Sequence, residues 1–268
     1  MNPRHRLSGS RSRGHTLLEL SIALALGLSI VSACLSLYRA QRAAFERATD
    51  AVRMHEAASI ALDMLGQQLQ MAGFAADLDP RASLDAPLFG CAQGRVIGEE
   101  GAASCETLAS RSDGVQVRYA ADAIATWPTS GGAPTDCLGQ AVPDAYATNR
   151  FHAKPSASTG EPELYCEGNG KQAQPIVEGI ERIRALYWLP GAPAALAASG
   201  IARARWKEVH AVDVCVLVRG FTAQVKRRVN HVDCDGAPAS SDDGRARQAF
   251  WRRVALRNAP LLSTRDAG

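Results

Sequence analysis

Aromatic side chains are scarce in this chain. Phe, Trp and Tyr supply 6% of 268 residues, charged residues 21% and hydrophobic residues 46%. Such a balance can bury a core and excludes wholesale disorder and a collagen-like chain. With 23 glycines and 13 prolines, the composition points to a loop-rich fold rather than an all-helical one. A second long apolar run is lacking, which excludes a multi-span membrane protein. Catalytic signatures are lacking too. His55-Glu56-Ala57-Ala58-Ser59 carries Ser where a zincin helix needs its second His, and Gly168-Asn169-Gly170-Lys171-Gln172 lacks the phosphate-loop spacing. There is no G-x-S-x-G. The paired acids Asp242-Asp243 are expected to be solvated in a loop, and Arg227-Arg228 and Arg252-Arg253 to be exposed strand charges. The expectation is therefore no enzyme, no catalytic residue and no cofactor.

Net charge is +3, and its location matters more than its size. The opening MNPRHRLSGSRSRG holds Arg4, Arg6, Arg11 and Arg13 and no acid, so the remainder is nearly neutral. A neutral remainder has no general footprint for nucleic acid, and no direct nucleic-acid binding is predicted. The basic leader reads as a targeting segment. It precedes LLELSIALALGLSIVSACLSLY, Leu17 to Tyr38, in which Glu19 is the single charge. At 1.5 Å per residue that run is about 33 Å long, enough for a bilayer core of about 30 Å. Four preceding arginines place its start in the cytoplasm, so the rest of the chain is expected on the far side.

A carboxylate within such a run is unfavourable near the bilayer centre and less so at its edge. Gly14-His15-Thr16-Leu17-Leu18-Glu19-Leu20, between a basic leader and a long apolar run, resembles the class III signal of type IV prepilins. The resemblance implies cleavage by prepilin peptidase between Gly14 and His15, N-methylation of His15, and an assembly role for Glu19, the fifth residue of the mature chain. His15 stands where that family usually has Phe. Cutting there removes the arginines, keeps the apolar helix and creates an amino group a few residues from Glu19. A buried carboxylate needs a partner, and in a packed filament the amino terminus of a neighbouring subunit can be that partner. Val31-Ser32-Ala33-Cys34 also fits a lipoprotein signal, with Cys34 as the lipidated residue. Against it stand the charge inside the apolar region and the helical sequence that continues after Cys34.

Residues 39–72 contain no Pro and one Gly, and are rich in strong helix formers. Phe45, Ala48, Val52, Leu62, Leu65, Leu69 and Ala72 recur at helical spacing. Arg42, Glu46, Arg47, Asp50, Arg53 and Glu56 are expected on the opposite face. The helix is expected to end near Gly73. Ala61 to Phe74, followed by Gly90-Cys91, resembles the helix end and Gly-Cys of the PilW family of minor pilins. Gln174 to Glu181 (QPIVEGIE), Val209 to Arg219 (VHAVDVCVLVR) and Val254 to Asn258 (VALRN) resemble later segments of that family. The stretch 92–172 has no match by eye.

Strands are predicted at Gly114–Ala120, Ile183–Trp188, Val209–Val218 and Gln248–Arg257. Val212, Val214, Val216 and Val218 share one face, with Asp213, Cys215 and Leu217 on the other. Loops are predicted at Pro128–Pro134, Lys154–Pro162, Leu189–Gly200 and Asp235–Gly244. Setting Cys34 aside as a membrane residue leaves six cysteines on the translocated side: Cys91, Cys105, Cys137, Cys166, Cys215 and Cys234. An oxidising periplasm favours disulfides, and six cysteines allow 15 pairings. Pairing of neighbours is the most economical: Cys91–Cys105, Cys137–Cys166 and Cys215–Cys234. No close ligand spacing supports a metal.

The expected fold is α+β and pilin-like, a long N-terminal α-helix packed on a mostly antiparallel β-sheet head with disulfide-closed loops. The expected divisions are a leader at 1–14, a transmembrane half-helix at 15–38, an amphipathic half-helix at 39–73 and a β-rich periplasmic head at 74–268. The resemblance implies a minor pilin of a type IV pilus, processed in the inner membrane and then built into the pilus. Its implied role is priming of assembly, and hence twitching motility, adhesion or DNA uptake. Implied partners are prepilin peptidase, the major pilin, other minor pilins and a tip adhesin. A pseudopilin of type II secretion shares these features. A periplasmic enzyme or binding domain tethered by the helix, or by lipid at Cys34, is the alternative of a different class.

Overall fold

The computed structural model describes residues 16–74, 86–99, 102–122, 126–169, 172–223 and 228–258. Gly14 and His15 lie outside them. The chain divides into two compact units, ending and starting at Thr49 and Asp50.

The first unit is the leading part of helix α1, Leu17–Met71. The helix is long and apolar enough to cross a membrane, and Leu18, Leu24, Leu28 and Ile30 are exposed along it.

The second unit begins with the rest of α1. Its buried stripe is Asp50, Met54, Ala57, Ala58, Ala61, Leu62, Leu65, Gly66 and Leu69. This corrects the helix face inferred from periodicity. Phe45 and Val52 are exposed, and Asp50, expected on the polar face, is 5% exposed. The helix stops where Gly73 takes φ +75, a left-handed turn that glycine adopts without steric penalty. The Gly73 N–H then donates to the Arg118 carbonyl at 2.9 Å.

Thirteen strands follow among the described residues: β1 Leu88–Cys91, β2 Gly94–Ile97, β3 Ser104–Thr107, β4 Gly114–Ala120, β5 Tyr146–Pro155, β6 Pro162–Gly168, β7 Gln174–Glu178, β8 Ile180–Trp188, β9 Leu196–Ala197, β10 Ala211–Arg219, β11 Val229–Val232, β12 Pro238–Ser241 and β13 Arg247–Ala255. All pairings between them are antiparallel. The fold class is the α+β class read from the sequence. The sheet is not single, however. One sheet has the order β1-β4-β5-β6-β7 and a second β13-β10-β8-β9, with hairpins β2-β3 and β11-β12. The second sheet contains three of the four predicted strands. β5 and β6 were not predicted: β5 buries Thr148, Asn149, Arg150 and His152, and β6 is a short run that buries Glu163, so neither gives a clean apolar alternation. The predicted loop Asp235–Gly244 contains β12, and Lys154–Pro162 is a tight turn whose two ends belong to β5 and β6.

One buried cluster unites the helix stripe with Val115 and Val117 of β4, Phe151 of β5, Leu164 of β6, Ile183 and Tyr187 of β8, and Val212, Val214, Val216 and Val218 of β10. The four valines are at most 1% exposed, and each contributes about 1.5 kcal/mol or more by leaving water. Gly90 has a packing reason. A Cβ there would collide with the Tyr187 hydroxyl and press on the Trp206 ring, and those two rings meet edge to face at 4.8 Å.

Buried polar groups join the layers. Ser112 Oγ accepts the N–H groups of Ala153 (3.2 Å) and Ile183 (3.0 Å), one from each main sheet. Asp113 accepts from Gln93 N–H at 2.8 Å and Ala185 N–H at 3.0 Å. Asn149, fully buried, donates to Gln68 of the helix and to the Tyr119 hydroxyl, both at 2.8 Å, and accepts the Cys137 N–H at 3.1 Å. Burial without a partner would be costly for each of these groups.

The six head cysteines are joined as Cys91–Cys105, Cys137–Cys166 and Cys215–Cys234, with Cα separations of 5.5, 6.5 and 5.8 Å. Cys215 and Cys234 cluster with Leu217 and Ala249 on the side of β10 opposite its valines. That bond ties the β11-β12 region to the second sheet.

Two predictions follow from these contacts. The double variant Cys215→Ala/Cys234→Ala is expected to lose about 3 kcal/mol of stability, measured as a lowered urea midpoint of the full-length protein. An unchanged midpoint would show that the bond does not stabilise the head. His152 is 1% exposed, and burial, with Lys154 and Arg95 nearby, pulls its pKa down to about 4. Its unfolded value is about 6.5. The unfolded chain therefore binds the extra proton between those values, and stability falls as pH drops from about 6.5 towards 4, by up to about 3 kcal/mol. His152→Gln is expected to flatten that part of the pH–stability curve; an unchanged slope contradicts the assignment.

Candidate functional site

The first candidate lies at the start of α1. Thr16-Leu17-Leu18-Glu19 has the spacing of a capping box. The Glu19 N–H donates to Thr16 Oγ1 at 3.2 Å, and the Thr16 N–H donates to Glu19 Oε2 at 3.1 Å. The Leu20 N–H reaches the Thr16 carbonyl at 3.2 Å. Two of the helix's otherwise unpaired N–H groups are satisfied in this way, and a negative carboxylate stands at the positive end of the helix dipole. Sequence reading assigned Glu19 an intermolecular partner. The structure adds a local one, the backbone of the residue next to position 15. Further along, Ser21, Ser29 and Ser36 donate their hydroxyls to carbonyls one turn earlier, which suits a helix without water around it. Cys34 is an exposed free thiol on this helix.

The second candidate is the exposed face and edge of the second sheet. Arg253 pairs with Asp213 through two contacts, 2.6 and 2.8 Å, and its guanidinium stacks over the Trp188 ring at 4.6 Å. Trp188 donates its indole N–H to Asp213 Oδ2 at 2.9 Å. The bonds from Arg253 and Trp188 outweigh partial burial and hold the Asp213 carboxyl below the usual carboxylate range. Trp251 lies beside this group, 47% exposed. Arg252, its neighbour on the opposite side of β13, donates to Asp63 Oδ1 at 2.6 Å and to the Leu62 carbonyl at 3.2 Å on the helix. The pair read as plain exposed charges thus has two separate partners.

Other arginines clamp loops. Glu161 accepts from Arg245 at 2.6 Å and Arg219 at 2.7 Å, and Arg245 first of all lowers its pKa. Arg247 joins Glu181 at 2.6 Å and Asp243 at 2.8 Å, and the bond from Arg247 is the main cause of the depressed Asp243 carboxyl. Asp243 is therefore paired rather than merely solvated, whereas Asp242 is exposed at 3.8 Å from Arg228. Arg227, Gly170 and Lys171 lie outside the described residues. His55 packs against the Phe250 ring at 5.6 Å. Among the described residues, no three His, Cys, Asp or Glu side chains are placed to hold a metal.

Sequence reading missed Asp50 as a fixed point. Its carboxylate accepts the N–H of Phe221 at 2.7 Å and of Thr222 at 3.3 Å, and a Cβ on Gly220 would strike it. An acid within a helical polar run carries no mark of that role. Gly220-Phe221 after a strand was the available sign, since such a turn exposes consecutive N–H groups.

The family model of Type IV Pilus-assembly protein W, PilW, matches residues 151–258. The match runs from the middle of β5 through β13, includes three of the four segments singled out above, and reaches into the stretch 92–172, where the sequence showed no resemblance. No curated protein matches the chain. Among solved structures, a type IV-like pilin from Thermus thermophilus is similar at 16% identity and a TM-score of 0.41, covering 77% of this chain and 98% of that one. Over residues 151–258, which include the VALRN segment, the chain is thus similar to the PilW family of type IV pilus-assembly proteins.

Proposed function

We propose that the protein is a minor pilin of a type IV pilus. The observation that carries this reading is the pilus-assembly family match over the head, on a chain whose first helix is apolar enough to cross a membrane and opens on Glu19. In this reading the chain is inserted in the inner membrane with its head in the periplasm. Prepilin peptidase cuts after Gly14, and His15 becomes the N-methylated terminus. The head then joins other minor pilins, the major pilin and a tip adhesin in priming assembly, and so serves twitching motility, adhesion or DNA uptake.

The capping box suggests how Glu19 serves assembly. In a single subunit its carboxylate is held by the Thr16 N–H and is not left bare in an apolar setting. Cleavage places a charged amine on His15, four residues before Glu19 and next to Thr16, and packing of subunits brings a second. An ion pair in a medium of low dielectric is far stronger than in water, so the carboxylate selects subunit register where lipid-like packing alone would not. Glu19→Ala is expected to leave processing and membrane insertion intact and to deplete the protein from sheared pili. Its normal recovery there contradicts the assembly role. Mass spectrometry of the wild-type chain is expected to find methylated His15 at the terminus. A chain still beginning at Met1, or a diacylglyceryl Cys34, overturns the pilin reading.

A further inference from the structure

The head carries an apolar groove in one place and an exposed indole in another. The groove lies between α1 and β7, the last strand of its sheet. Its volume is about 420 Å³, and Ala57, Ile60, Ile176, Val177 and Phe221 line it. The Phe221 wall is fixed. Its N–H donates to Asp50 at 2.7 Å, and its ring lies against Gly179, where a Cβ would come within 3.2 Å of it. Arg53, Glu56 and Glu178 border the groove. All three are exposed, and among the described residues none of them has an ion-pair partner. An apolar floor with carboxylates and a guanidinium at its rim sets the chemistry of the occupant. An aliphatic side chain would leave the rim unused. A Trp indole covers the floor, gives its N–H to a carboxylate and offers its ring face to a guanidinium.

Trp127 supplies such an indole. It is 88% exposed, more than any other large apolar side chain among the described residues of the head. Its loop is organised to hold it. The Thr135 N–H donates to Thr126 Oγ1 at 3.1 Å, and Thr135 Oγ1 donates to the Trp127 carbonyl. The Thr129 N–H donates to the Ala133 carbonyl at 2.8 Å, and the Ala133 N–H to Thr129 Oγ1 at 3.1 Å. The Cys137–Cys166 bond anchors the return of the chain. From Ala123 to Thr135 there is no charged residue, so nothing in the loop opposes the mixed charges of the groove rim. An aromatic side chain on an ordered loop loses little freedom on docking, and Trp is prominent among the side chains that dominate interfaces. The loop leaves the head beside the end of α1, where the Ala120 N–H donates to the Phe74 carbonyl at 2.8 Å and the Ala121 N–H to the Ala145 carbonyl at 2.9 Å. The groove lies earlier along the helix. From Ala57 to Met71 the axis rises about 21 Å, so indole and groove do not meet within one head. Each copy of the chain presents both, and the contact between copies is head to tail. A contact of that kind need not close on itself as a two-fold pair does.

We propose that the groove between α1 and β7 seats Trp127 of a second copy of this chain. The contact needs only the head and stands apart from the pilin reading. The test uses two full-length copies with different tags, made in the same cells. A photo-crosslinking residue replaces Gln174, exposed on β7 beside the groove, in the first copy. The expected adduct joins it to the peptide Thr126–Thr135 of the second copy, identified by mass spectrometry. Trp127→Ala in the second copy is expected to lower the adduct about thirty-fold, the effect of losing a buried aromatic anchor, and Trp127→Phe to lower it less. Ile60 is 52% exposed, so Ile60→Glu in the first copy puts a charge into the groove while leaving the core alone. It is expected to lower the adduct to a similar extent. No adduct, an adduct with another part of the second copy, or one that Trp127→Ala leaves undiminished overturns the seat. An adduct formed only with a different protein overturns the second copy as occupant. Should Ile60→Glu fail to form its disulfides, the Trp127 variants, altered only in an exposed side chain, decide.

Discussion

The head depends on one packing relation: the helix stripe from Met54 to Leu69 and the valine face of β10 lie in the same buried cluster. The stripe is rich in small residues, with Ala57, Ala58, Ala61 and Gly66 among its buried members. Small side chains let neighbouring main chains approach, and a Cβ at Gly66 would sit 3.4 Å from the Arg252 guanidinium and 3.8 Å from Val254. Protein interiors tolerate few voids, and within this cluster branched valines and small helical residues share the space between helix and sheets.

Polar groups then decide which arrangement of those apolar surfaces is stable. Ser112, Asp113 and Asn149 take backbone N–H groups from different layers, and Asp50 takes two from the turn after β10. Each shift of one layer against another would leave a buried donor unpaired, at a penalty of about 1–3 kcal/mol. Apolar contact alone is less selective, since it depends on area more than direction. The arginine pairs add to this selection at the surface, where each isolated pair is worth little but where several fasten the same loops.

The two candidate sites divide the labour expected of a pilus subunit. The N-terminal helix is general: an apolar surface with one carboxylate held at its start suits packing among helices of other subunits. The head is particular: its loops are closed by three disulfides and clamped by arginine pairs.

Local pattern in the sequence determined the long helix, its end at Gly73, the valine alternation of β10 and the α+β class, because each arises from neighbours within a few residues. Cysteine count admitted fifteen pairings, and only the tertiary structure brings the sulfurs together as Cys91–Cys105, Cys137–Cys166 and Cys215–Cys234. Tertiary structure likewise decided the burial of Asp50, the polar inner positions of β5 and the division into two sheets. Periodicity reports which way side chains alternate. It carries no record of the distant N–H groups that make a buried Asp or Asn stable, nor of which strand finds a neighbour on both sides and which, like β13, on one.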